Sequence, residues 1–167
     1  QDKKWIPAPE ATHRYCVAHV STWKPRGGDR VSLVDVQQTL KQLHHQFGFS
    51  TIAADLYQAS LMIEQLRRDG LPAEEFTPTG PVLNACATTL IESFQESKVT
   101  IPAEQPWTDD VIADLQRLQL VEKSYGVRLQ SPRISDGDGT RHGDIASALQ
   151  IGLHAARTAT ASRGPTY

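Results

Sequence analysis

Thr51-Ile52-Ala53-Ala54-Asp55-Leu56-Tyr57-Gln58-Ala59-Ser60 decides how this chain folds. A short apolar run ends in a carboxylate, and an amphipathic segment begins within a few residues. That is the pattern of a buried strand feeding a helix. In a sheet flanked by helices, ligands and metals gather at the carboxyl ends of the strands. An Asp placed there faces a crevice and can hold a divalent cation.

The surroundings extend the same alternation. Upstream, Ser32 caps a helix whose apolar face is Val36, Leu40, Leu43 and Phe47, with Asp35 in its first turn and Gly48 at its end. His44 and His45 fall in the last turn as solvated groups favourable to the helix dipole. Farther upstream, Arg14 to Trp23 would place partly apolar residues on both sides of a strand and is rich in β-branched and aromatic types, so it reads as a strand. Lys24 to Asp29 is a loop. Downstream, Ala59, Met62, Ile63 and Leu66 recur at helical spacing and Gly70 closes the helix. Pro72 to Phe76 makes another short strand. Pro81 opens a helix lined by Leu83, Ala87, Leu90 and Phe94, and Val99 to Ile101 forms a brief strand.

Thr108 caps a further helix, with Asp109 and Asp110 placed for its dipole and Val111, Leu115 and Leu118 as its buried stripe. Leu120 to Lys123 and Val127 to Gln130 read as a hairpin. Ser131 to Gly143 is a Gly-rich acidic loop. Asp144 opens the last helix, whose face of Ile145, Ala148, Leu149, Gly152 and Ala156 is small enough to lie close against a sheet. The βαβ alternation in the middle of the chain predicts parallel pairing there.

Composition bounds the function. The chain has 167 residues, enough for one domain with a core of its own. No apolar run approaches the ~20 residues of a membrane span. The polar N-terminus lacks an initiator Met, which reads as a piece of a longer protein. A net charge of −2 argues against a broad basic surface for nucleic acid, but not against gripping phosphate through metal ions. Cys16 and Cys86 lack zinc spacing and read as reduced thiols of a cytosolic protein. There is no GxSxG elbow, HExxH, Walker A or GxGxxG motif.

Two carboxylates stand out by context. If the last helix packs over the strand ends, Asp55 and Asp144 converge on a hard cation, for which Mg²⁺ or Mn²⁺ is suited. On spacing alone, strand-end and helix-cap roles account for the same two residues more simply. Asp138 and His142 are candidates to join Asp144 as an accessory ligand or a proton carrier. Arg133, Arg141 and Lys123 are candidates to meet phosphates. Asp136-Gly137-Asp138-Gly139 lacks the third ligand and closing Glu of a calcium loop.

Three stretches resemble the C-terminal nuclease domain of tailed-bacteriophage terminase large subunits. They are Tyr15 to Pro25 with Val34-Asp35-Val36, Asp55-Leu56-Tyr57-Gln58-Ala59, and Gly139 to Leu149. The resemblance implies an α/β, ribonuclease H-like mixed sheet with helices on both faces. It implies a metal-dependent endonuclease that cuts concatemeric double-stranded DNA by two-metal chemistry, with Asp55 and Asp144 as its second and third acidic ligands. Leu56 stands where the family has Pro. The family's first catalytic Asp lies on a first central strand, which is expected upstream of Gln1; Asp2 is not assigned that role.

Residues 1–157 thus read as an N-terminally incomplete nuclease domain and 158–167 as a flexible tail. The implied partners are DNA, an upstream packaging ATPase of the same polypeptide, a portal and a small terminase subunit, in the host cell cytoplasm without a membrane. Two alternatives remain: a non-catalytic module of a packaging assembly with a degenerate acidic pocket, and another ribonuclease H-like enzyme such as a resolvase or transposase.

Overall fold

The computed structural model describes residues 14–24, 30–132, 134–136, 139–141 and 143–162. The chain starts with β1 (Tyr15–Cys16) and α1 (Leu33–Phe47). Then come β2 (Ile52–Asp55), α2 (Leu56–Arg68) and β3 (Ala73–Phe76), followed by α3 (Gly80–Gln95), β4 (Val99–Thr100) and α4 (Thr108–Gln116). The hairpin strands β5 (Gln119–Lys123) and β6 (Gly126–Gln130) precede a second pair, β7 (Ile134–Asp136) and β8 (Gly139–Arg141). Last is α5 (Asp144–Ser162). This is a mixed α/β fold.

The βαβ unit expected from the opening stretch is present. β2 and β3 run parallel in the register Ile52↔Ala73 to Asp55↔Phe76. α2 crosses between them and buries Met62, Ile63 and Leu66 over the pair, with Leu71 and Ala73 completing the cluster. Val36 and Leu40 of α1 pack on its outside. Ile63 and Leu66 are fully enclosed, and each such side chain stabilises the fold by about 1.5–3 kcal/mol. α1 is capped as its sequence predicts: Asp35 N–H donates to Ser32 Oγ at 3.2 Å, and Gly48 at φ 65° donates to His44 O at 2.8 Å. The ring of His44 lies 5.7 Å from that of Phe49 and is half-buried, so His44 is not the solvated group expected, whereas His45 is exposed.

The strand expected from Arg14 to Trp23 is cut to Tyr15–Cys16. It pairs in parallel with β4, through Tyr15 N–H to Lys98 O and Val17 N–H to Thr100 O. The next donor in this ladder is position 102, and Pro102 has no N–H to give. The single mixed sheet expected is also divided. Among the described residues the strands form four two-stranded ladders, and β1–β4 and β2–β3 do not hydrogen-bond to each other.

The second half is built on α3. Its buried side is Cys86, Ala87, Thr89, Leu90 and Ser93, while Phe94 turns outward. Burial raises the thiol pKa of Cys86; Cys16 is exposed, and both are free. The β5–β6 hairpin docks on α3 through Asn84, whose Oδ1 accepts from Val127 N–H at 2.7 Å. Thr108 does not cap α4 as expected. It is the first helical residue, and its buried hydroxyl donates to Pro102 O and accepts from Gln105 N–H, fastening the preceding loop. Part of the acidic loop is a hairpin instead, with β7 and β8 paired from Ile134↔Arg141 to Asp136↔Gly139. α5 continues to Ser162, past the tail start expected at Thr158. No helix among the described residues is long and apolar enough to cross a membrane.

Candidate functional site

α5 does not bury the face its sequence suggests. Ala146, Gln150 and Leu153 are enclosed, and α5 packs mainly on α3 and α4. At about 100° per residue, Asp144, Ala148, Gly152 and Ala155 fall on the opposite side. That side lines an open cavity of about 430 Å³, whose other wall is Ser50, Thr51, Ala53 and Asp55. Asp55, at the end of β2, and Asp144, at the start of α5, are both exposed and share this one cavity.

A second cavity, of about 540 Å³, adjoins it. Val17, His19 and Trp23 line it from the segment after β1, and Asp144, Ala148 and Gly152 form its floor as they do for the first. The two cavities make a slot between β2 and residues 17–23, floored by the small residues of α5. His19 Nε2 lies 2.7 Å from Ser21 Oγ at its rim.

Asp144 stands on a fixed backbone. Gly143 precedes it at φ 67°, buried, and a methyl group there would meet Ser131 Cβ at 2.3 Å. Ser147 N–H donates to Gly143 O at 3.0 Å, closing the first turn of α5. Ile145 N–H donates to Asp114 Oδ2 of α4 at 3.2 Å. Asp114 escaped the sequence reading, although a carboxylate between Val111 and Leu118 on an apolar stripe was a readable signal.

Other candidates do not join the pair. Lys123 is exposed near the turn of the β5–β6 hairpin and does not line this cavity. Arg141 lies in β8, but its side chain is outside the described residues, as are Asp138, His142 and Arg133 altogether. Among the described residues no group of three or more His, Cys, Asp and Glu side chains gathers as a metal site. Two exposed carboxylates beside the hydroxyls of Ser50, Thr51 and Ser147 fit a hard cation that keeps several waters. They do not make a closed cage for two ions.

The fold has counterparts among solved structures. The fold is similar to that of the large terminase nuclease from thermophilic phage G20c, with a TM-score of 0.56 and 17% identity over 74% of this chain and 62% of that one. It is also similar to the HK97 bacteriophage large terminase, with a TM-score of 0.60 and 17% identity over 77% of this chain and 26% of that one. The chain thus spans less than two thirds of either. No protein-family model matches the sequence, and no curated protein matches it significantly.

Proposed function

We propose that this chain is the nuclease part of a viral genome-packaging terminase, a metal-dependent endonuclease that cuts concatemeric double-stranded DNA. The observation that carries this reading is the meeting of Asp55 and Asp144 on one cavity, in a fold shared with phage large terminases. In the proposed mechanism the two carboxylates would hold Mg²⁺ or Mn²⁺ at the cavity they share, where a scissile phosphate would bind. When bound, such ions supply an activated water and stabilise the leaving oxygen. Asp138 or His142 completes the ligand set or carries a proton, and Arg133, Arg141 and Lys123 meet backbone phosphates. A third carboxylate arrives on an upstream strand that fills the slot between β2 and residues 17–23. The packaging ATPase of the same polypeptide, a portal and a small terminase subunit are the proposed partners.

The test is nicking of supercoiled plasmid, with Mg²⁺ or Mn²⁺, by a chain that carries the upstream sequence. Asp55→Asn and Asp144→Asn should each lower the rate by about a hundred- to a thousandfold, in line with losing a group central to charge stabilisation, while the melting temperature stays within a few degrees. Full cleavage by either variant removes that residue from the site.

A second reading, a non-catalytic module with a degenerate acidic pocket, is favoured by one fact: among the described residues only two such side chains meet. Failure of the longer chain to bind Mn²⁺ in a calorimetric titration selects it.

A further inference from the structure

The first turn of a helix leaves backbone N–H groups without intrahelical partners, and the residue before the helix usually supplies the missing acceptor from its own side chain. Before α5 that residue is Gly143, which has no side chain. The position cannot accept one either, because a Cβ there would come within 2.3 Å of Ser131 Cβ and its φ is 67°. The acceptor comes instead from another helix. Asp114 of α4 is 6% exposed. Its Oδ2 accepts from Ile145 N–H at 3.2 Å, and Arg117 Nη1 lies 3.9 Å from its Oδ1.

A buried carboxylate is costly unless it is hydrogen-bonded and paired, and this one directs an oxygen at the residue directly after Asp144. We propose that Asp114 is the positioning residue of the acidic site: it caps α5 from outside and fixes the backbone that carries Asp144 on the cavity wall. Ser131 occupies the space a side chain on Gly143 would need, so the turn before α5 has no cap of its own and takes it from α4. The exposed carboxylate of Asp144 is thereby aimed without being buried itself. This role rests on reading Asp144 as a cation ligand.

The experiment uses the full chain, with Mn²⁺ as probe and amide hydrogen exchange as the second readout. Asp114→Asn keeps an oxygen acceptor and should retain Mn²⁺ affinity within about threefold. Asp114→Leu keeps the volume without the acceptor. It should lose about tenfold in affinity, the lower end of what removing an outer partner of a ligand does. In the unaltered protein the Ile145 amide should exchange at least about tenfold more slowly than an unstructured amide, and Asp114→Leu should abolish that protection selectively. A folded Asp114→Leu with unaltered Mn²⁺ affinity overturns the proposal. So does an unprotected Ile145 amide in the unaltered chain, which decides the matter even if Asp114→Leu does not fold. Asp144→Asn is run in parallel. If it leaves Mn²⁺ binding intact, or if the unaltered chain binds no Mn²⁺, the reading of Asp144 as a ligand fails, and the cap itself stands or falls on the Ile145 amide.

Discussion

The two sides of α5 share a helix and differ in almost everything else. One side, Ala146, Gln150 and Leu153, is buried in the half of the molecule built on α3 and α4. The other, Asp144, Ala148, Gly152 and Ala155, floors the slot that also holds Asp55. The first side positions the helix. The second leaves room beside a carboxylate. The enclosed side of α5 thereby sets Asp144 on the cavity that Asp55 also lines.

The contrast breaks most readily at Leu153, which is 4% exposed. Leu153→Ala should destabilise the chain by about 2–5 kcal/mol, the range for emptying a packed leucine site, read as a fall in the urea midpoint. A cost below about 1 kcal/mol would mean that the enclosed side does not anchor α5.

Neither of these two sides was legible in the sequence. Small residues at Ala148, Gly152 and Ala156 recur at helical spacing, and such a stripe reads as a surface for close approach to a sheet. Ala148 and Gly152 are instead exposed. The enclosed side includes Gln150, whose Nε2 lies 3.4 Å from Ala146 O, a local bond that hydropathy patterns do not register. The βαβ unit was legible because Met62, Ile63 and Leu66 are both periodic and large. The β1 strand was overread because its length is set by Pro102, some eighty-five positions away along the chain. The positions of Asp55 at a strand end and Asp144 at a helix start were legible, and β2 and α5 put them there. Asp114 showed only as a carboxylate on an apolar stripe, and its partner was not legible because the hydrogen bond runs between α4 and α5.

A smaller effect tests the turn that joins the two sides. Gly143→Ala places a methyl against Ser131 at 2.3 Å in a left-handed backbone. The conformation alone costs about 1 kcal/mol, and the overlap adds about 1–3 kcal/mol. Adding Ser131→Gly should recover the overlap part and leave the conformational part, which a double-mutant cycle separates. Full additivity of the two substitutions would show that Ser131 does not hold this turn.

The smallest expected effect discriminates most sharply, because its sign is at stake. Gly152 lies mid-helix on the slot side, and a methyl there meets nothing within 4 Å. Gly152→Ala should therefore stabilise the chain by about 0.8–1.0 kcal/mol, the helix-propensity gain alone, seen as a rise in the urea midpoint. The proposed strand would lie over this same floor. In a longer chain that carries it, the added methyl would press on the inserted backbone, and the substitution should cost about 1–3 kcal/mol, as overpacking does. A gain in the short chain that turns into a loss in the longer one places the inserted strand over Gly152. An equal gain in both means the slot floor stays open when the upstream sequence is present, and the third carboxylate must reach Asp55 and Asp144 by another route.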